Sequence, residues 1–501
     1  MRRCPGHFID GEWVASRSED AFTVYNPFTE SAYGEVAVGS AEDVDAAVRS
    51  AHRALGQGAW RDATLEERIS VVQRIRDAIV SRADELARVT TSSMGTPYHQ
   101  YRNLANAAEI IDMSIDMARK VRWEYLRMDA SGDSLIARRP VGVVAGIVPW
   151  NVPVRSEVKK ITPALLAGCT IVLKPAPEAP FGAAILAEIC AEAGVPSGVV
   201  NVVMGDGNTG ELLVRHPLVR KVAFTGSTAT GTRIWSAVAE SFTRLQLELG
   251  GKSAAILLDD VDLARVRTGL FAGIFFMSGQ QCTATSRILA PRRRYDEVVA
   301  LMSDIAAGVV MGDPFDENTT MGPLVAQRQR ERVLRYIEIG QAEGARLVCG
   351  GGRPSAQSTV WFVEPTVFAD VDNSMRIARE EIFGPVAVVI PYDDDADAVR
   401  IANDSDYGLG GSVYSTDPHR ALAVARRVDS GYVSINRYGI PSSAPFGGVK
   451  RSGIGREHGV EGFDSFLEYV SYPLSHSFAQ ELSSITPIEG SSPNDVNHDQ
   501  G

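Results

Sequence analysis

An α/β protein, built on a doubly wound parallel sheet with a second α/β unit beside it, is what three features of the sequence predict. Between Pro140 and Gly231, β-rich runs alternate with helix-patterned runs, the texture of a parallel sheet covered by helices on both faces. A second run of the same kind opens at Ala254 to Leu258. The chain has 501 residues, enough for two to four domains at about 100 to 200 residues each.

Taken in order, Phe8 to Val14 reads as two short strands around the Asp10-Gly11 turn, a strong hairpin signal. Ser40 with Asp43 and Thr64 with Glu67 are capping-box helix starts, the second leading into Ile69, Val72, Ile75 and Ile79 at helical spacing. The alternation then predicts strands at 141–148, 170–174, 199–204 and 221–225, with helices at 157–167, 182–193 and 209–215. Beyond Leu258 the pattern predicts helices around 262–280 and 322–343 and strands at 386–391 and 432–435. Residues 482–501, rich in Ser, Pro, Asn, Asp and Gly with little to bury, read as a mobile tail. No internal repeat stands out.

Composition excludes several classes. A net charge of −12 argues against a nucleic-acid coat, which would be basic. The apolar run Val141 to Val148 is closed by prolines and falls far short of the ~20 residues a membrane helix needs. Arg2 and Arg3 are followed by Cys-Pro-Gly-His instead of an apolar stretch, so no secretory signal is expected. Five cysteines, at 4, 169, 190, 282 and 349, are scattered without CxxC or Cys/His clustering, which predicts neither a disulfide framework nor a metal site and points to the cytoplasm.

Two glycine loops compete as phosphate cradles. Gly205 to Gly210 fits GxGxxG, but the following strand ends in Thr-Gly where the fingerprint wants an acid for the ribose. Phe224 to Gly231 is the better candidate, since Ser227 and Thr228 open a helix whose N-terminal amides attract phosphate. Three segments carry possible chemistry. Cys282, after Gly-Gln in a small-residue setting, is either a nucleophile or an inert core thiol. Glu248, in Leu-Glu-Leu-Gly-Gly-Lys, is either a base whose pKa burial raises or a surface acid beside a turn. Asn151, in Pro-Trp-Asn-Val-Pro, is either an oxyanion donor or a turn residue.

Together with Glu381 to Pro385 and Pro445 to Glu457, and with 34 positions from Glu248 to Cys282, these motifs resemble the aldehyde dehydrogenase superfamily over about residues 7 to 475. The resemblance implies a Rossmann-like, parallel-sheet cofactor domain at 1–118 and 139–248, an α/β catalytic domain at 249–440, and a small β oligomerisation region at 119–138 and 466–476 that gives homodimers or homotetramers. It implies that Cys282 attacks an aldehyde, that Asn151 and the Cys282 N–H hold the oxyanion, and that hydride passes to the nicotinamide. Glu248 then activates water to hydrolyse the thioester, with Lys160 as its proton or charge partner. Cofactor contacts are expected at Trp150, Lys174, Glu178, Gly226, Ser227, Gly231, Leu249, Glu381 and Phe383. The tunnel positions are Val152, Ser156, Lys159, Gln281, Thr283 and Phe446, several of them small or polar, which implies a roomy entrance. Lys159 either faces that tunnel or points to solvent. The family often reads Lys-Pro-Ser-Glu, whereas this chain has Pro177 at the ribose-binding acid and Glu178 one place later; NAD is favoured and NADP is left possible. A CoA-acylating relative would usually lack Glu248, and a scaffold without turnover would not need Cys282, Glu248 and Asn151 together.

Overall fold

The computed structural model describes residues 1–4, 6–105, 107–355 and 360–485. Its first half is organised on an eight-stranded sheet in the order Gly453–Ile454, Arg244–Glu248, Val219–Thr225, Val143–Ile147, Thr170–Lys174, Val200–Val202, Gly6–Ile9, Glu12–Ala15. The five strands from Arg244–Glu248 to Val200–Val202 are parallel, and both edges are antiparallel. Alternate side chains of each strand feed two apolar layers. Val144 and Ile171 join the layer under the helices Pro153–Ala167 and Phe181–Glu192. Val143, Ala145 and Val172 join the layer under Ala41–Gly56. Burial on both faces is what a parallel sheet requires, and it explains why these strands read as continuous apolar runs.

A second sheet of seven strands runs Arg346–Cys349, Thr366–Ala369, Val386–Tyr392, Arg287–Pro291, Ala254–Leu257, Gly411–Tyr414, Ser434–Ile435, parallel except at its first edge. Apart from both, Glu124–Asp129, Gly132–Pro140 and Leu467–Leu474 form a three-stranded antiparallel sheet. Among the described residues no helix is long and apolar enough to cross a membrane.

Local signals translate directly. Asp10 and Gly11 take φ of 58° and 88°, the turn an Asp-Gly hairpin needs. Both capping boxes are formed. Where element bounds differ, side chains explain it. The helix expected from 157 begins at Pro153, because proline suits the first helical turn and closes the preceding turn itself. The helix expected around 262–280 ends at Ile274, and the one expected from 322 starts at Gln327. The expected tail is corrected at its start: Leu482 belongs to the helix His476–Ile485, which buries Ala479 completely, and 486–501 lie outside the described residues.

Candidate active site

The carboxyl ends of the parallel strands carry the polar groups, at the point where strand order reverses between Val219–Thr225 and Val143–Ile147. An open α/β sheet leaves its crevice there. Asn151 follows Val143–Ile147, Lys174 closes Thr170–Lys174, Ser227 follows Val219–Thr225, and Glu248 closes Arg244–Glu248.

Cys282 arrives from the facing unit. After the helix Leu263–Ile274 the chain reverses through Met277, Ser278 and Gly279, with φ of 53°, 57° and 69°. Two consecutive non-glycine residues in this region are costly and persist only when their surroundings fix them. Ser278 Oγ donates to Gly322 O at 2.8 Å, and Gln280 Oε1 accepts from Val325 N at 3.0 Å. Gly279 is required, because a Cβ there would lie 2.2 Å from the Gly384 carbonyl oxygen. The cysteine loop and the Phe-Gly-Pro segment therefore meet backbone to backbone.

Asn151, buried, donates its amide to Gln280 O at 2.9 Å, two residues before the cysteine. Cys282 is partly exposed. Burial, then Glu381 and Glu248, push its thiol up to about 12. Glu248 is 2% exposed and neither carboxyl oxygen has a hydrogen-bond partner. Burial and the neighbouring Glu457 raise its pKa well above the carboxylate range. Lys160 lies behind it, donating to Glu457 Oε1 at 2.8 Å and to Thr225 Oγ1 at 2.9 Å. Burial alone would raise Glu457, but Lys160 and Lys159 outweigh it and hold it ionised. The arrangement is thus a protonatable acid beside a lysine-bound carboxylate, a pair whose environments push their pKa values apart.

Among the residues expected to contact a cofactor, Ser227 caps the helix Thr228–Ala237 through Thr230 N, leaving a helix end whose amides could hold an anion. Gly231 and Leu249 are in contact, since a Cβ at Gly231 would meet Leu249 at 2.5 Å, and Gly226 is equally tight against Phe224, at 2.4 Å. Trp150 and Phe383 stand edge to face, 5.4 Å apart. Glu381 Oε1 accepts from Gly251 N at 3.0 Å, and burial raises its carboxyl to about 7. Lys174 Nζ donates to Pro175 O and Gly205 O, and burial lowers it to about 8. In the rejected loop, Asp206 serves as the cap of the helix Gly207–Val214.

Several expected residues stand differently from the sequence reading. Glu178 is engaged by Arg328 from the facing unit. Lys159 does not point to solvent: its Nζ is 5.3 Å from the Phe446 ring centre and 3.8 Å from Glu457 Oε2. Gln281 donates to Ala272 O and Phe276 O, and Thr283 is bonded to Tyr438, so these two positions, expected to line a tunnel, spend hydrogen bonds inside the protein. Ser156 and Phe446 are buried, and Val152 packs against the first core. Sequence reasoning gave Glu457 no role, because its partner Lys160 lies 297 positions away. It also missed Arg332 and Gln329, which bond the backbone carbonyls of Glu381 and Phe383 and so hold that segment.

Residues 13–471 match the model of the aldehyde dehydrogenase family. Among curated relatives, a geranial dehydrogenase of Castellaniella defragrans is 45% identical over 93% of this chain and 98% of its own. A 3-succinoylsemialdehyde-pyridine dehydrogenase of a Pseudomonas species is 43% identical with the same coverage. Among solved structures, an aldehyde dehydrogenase of Mycobacterium tuberculosis complexed with NAD+ superposes with a TM-score of 0.91 at 43% identity, over 94% of this chain and 98% of that one. A cysteine-to-alanine variant of aldehyde dehydrogenase C of Pseudomonas syringae, complexed with NAD+ and octanal, gives 0.90 at 41% identity, over 94% and 96%.

Proposed function

The chain belongs to the aldehyde dehydrogenase family, and from that premise we propose that it oxidises neutral, apolar aldehydes to carboxylic acids with NAD, through a thioester on Cys282. The observation that carries the chemistry is Glu248, a buried carboxyl with both oxygens unbonded, within electrostatic reach of the thiol.

Cys282, its thiol proton passed to water, forms a C–S bond to the carbonyl carbon as the carbonyl π bond breaks. The oxyanion that results lies between the Asn151 amide and the Cys282 N–H, donors fixed before the reaction begins. Residues suited to hold NAD are present: the Ser227-capped helix end for the pyrophosphate, Lys174 near the ribose, and Glu381 with the Trp150–Phe383 pair at the nicotinamide end. When bound, NAD supplies the acceptor for the hydride that the tetrahedral carbon gives up. Glu248 then takes a proton from water as that water adds to the thioester, the C–S bond breaks, and Cys282 leaves as thiolate. Burial and the Glu457 carboxylate behind it favour Glu248 holding the proton after the transfer, while Lys160 opposes them and favours the ionised form that accepts it.

The substrate class follows from which polar groups are free. Gln281 and Thr283 are bonded internally, Lys159 is covered by Glu457 and Phe446, and the Tyr432–Phe446 pair, with ring centres 6.0 Å apart, offers aromatic surface. Relatives named for geranial and complexed with octanal support the same reading. A panel of octanal, geranial, benzaldehyde and an ω-carboxylated octanal, followed by NADH absorbance, tests it. The neutral aldehydes should have the higher kcat/KM, and Lys159→Met should affect neutral and carboxylated substrates alike. A selective loss of the carboxylated substrate in that variant would reverse the assignment. Cys282→Ala should abolish all oxidation while sparing NAD binding, and activity above a trace would remove Cys282 as nucleophile.

A further inference from the structure

Both neighbours of Cys282 are tied into one directional hydrogen-bond chain. Gln281 Nε2 donates to Ala272 O and Phe276 O, at 3.0 and 2.9 Å, at the carboxyl end of the helix Leu263–Ile274. Carbonyls only accept, so the amide orientation is fixed and Oε1 must accept. It does so from the Tyr438 hydroxyl, at 3.1 Å. That hydroxyl has a single proton, so in the 2.7 Å contact between Tyr438 and Thr283 Oγ1 the threonine is the donor, with Tyr432 as its second hydroxyl neighbour. The chain is therefore Thr283 to Tyr438 to Gln281 to the helix end, closing a bracket around the cysteine. Tyr438 comes from the loop after the strand Ser434–Ile435 and makes the only link in this chain between residues 281 and 283.

We propose that Tyr438 is a positioning residue for the oxidation: its hydroxyl clamps the peptides on either side of Cys282, aiming the sulfur and its backbone N–H at the aldehyde carbonyl. The inference rests on Cys282 being the nucleophile. Removing the hydroxyl leaves Gln281 Oε1 without its donor and Thr283 with Tyr432 alone, so the link across the cysteine is broken, and an error of about 1 Å in such a site costs up to about 100-fold.

The test compares wild type, Tyr438→Phe, Thr283→Val, Thr283→Ser and the double variant Tyr438→Phe/Thr283→Val. In each, kcat/KM for octanal, the rate of the first NADH turnover, the Kd for NAD and the thermal midpoint are measured. Tyr438→Phe should lower kcat/KM and the first-turnover rate about 10- to 100-fold, with Kd for NAD within twofold of wild type. Thr283→Val should show a similar loss that Thr283→Ser recovers, and the double variant should be no worse than either single, because both break one chain. Multiplying losses in the double variant, a Tyr438→Phe rate within twofold of wild type, or a parallel loss of NAD binding would overturn the positioning role. Absence of turnover in wild type on every aldehyde would instead strike the nucleophile assignment itself. If Tyr438→Phe does not fold, the Thr283→Val and Thr283→Ser pair still decides.

Discussion

Glu248 shows how one side chain changes meaning with its surroundings. In the sequence it could be a surface acid beside a Gly-Gly turn, and nothing in its neighbours decides. In the fold it ends the strand Arg244–Glu248, 2% exposed and unbonded, and burial with Glu457 nearby favours its protonated form. Glu248→Gln keeps shape but removes the basic site. Rapid mixing with NAD and octanal should then give an NADH burst approaching one per site, followed by turnover slowed at least about 100-fold, at the low end of general-base effects. Acyl-enzyme should be visible on Cys282 by intact mass, and undiminished steady turnover would take Glu248 out of the mechanism. Pro177 makes the complementary case. It lines a cavity of about 220 Å³ with Glu178, Asp206 and Arg328, and Glu178 is drawn to Arg328. The proposed NAD preference over NADP should therefore be modest, and Pro177→Glu should widen it by about tenfold, since a carboxylate near the ribose accepts its hydroxyls and repels a 2′-phosphate. Equal kcat/KM ratios for the two proteins would reject this.

At the scale of elements, the helix Pro153–Ala167 carries both legible and illegible chemistry. The turn bearing Asn151 can be read from the sequence, as can the strands and capping boxes, because each depends on residues within a few positions; the sequence pattern starts the helix at 157 instead of Pro153, and Lys160 draws its role from the family resemblance alone. Glu457, Tyr438 and Arg328 cannot, since each acquires its partner only when distant segments meet. Glu157 is the sharpest instance. It lies on the same helix, fully buried, with neither oxygen bonded, and burial pushes its carboxyl up to about 8. The folded protein thus holds a proton that an unfolded chain releases near pH 4.3. Its folded pKa is raised, so stability is unpenalised below about pH 4.3, falls as pH rises, and is fully penalised above about 8. Glu157→Gln removes the ionisation. Its thermal midpoint should match wild type near pH 4.5 and exceed it by roughly 5 °C at pH 9, on the scale of a few kcal/mol for a chain this long. A difference independent of pH would mean that Glu157 does not titrate in this range.

At the scale of the molecule, the separate three-stranded sheet leaves two edges, and they are not equivalent. Val141 N donates to Phe466 O, so along Leu467–Leu474 the even residues bond inward and the odd ones turn outward. Pro473 is therefore at an outward position, where it costs no ladder bond and blunts that part of the edge. On the other side Arg138 N donates to Trp123 O. Counting by two, Glu124, Leu126 and Met128 direct their N–H groups away from the sheet, with no proline among them. Met128 is also 43% exposed, an apolar side chain beside open backbone donors. Such an edge invites pairing with a second copy, which is the structural counterpart of the proposed homodimer or homotetramer. Met128→Pro deletes one outward donor and, by the same counting, no bond within the sheet. Light scattering should find two or four chains for wild type and a smaller assembly for the variant. Loss of specific activity should be under about twofold, because the edge belongs to a sheet other than those whose strands and loops carry Asn151, Glu248 and Cys282. An unchanged mass would assign assembly to another surface, and a monomeric wild type would leave the open edge without a partner.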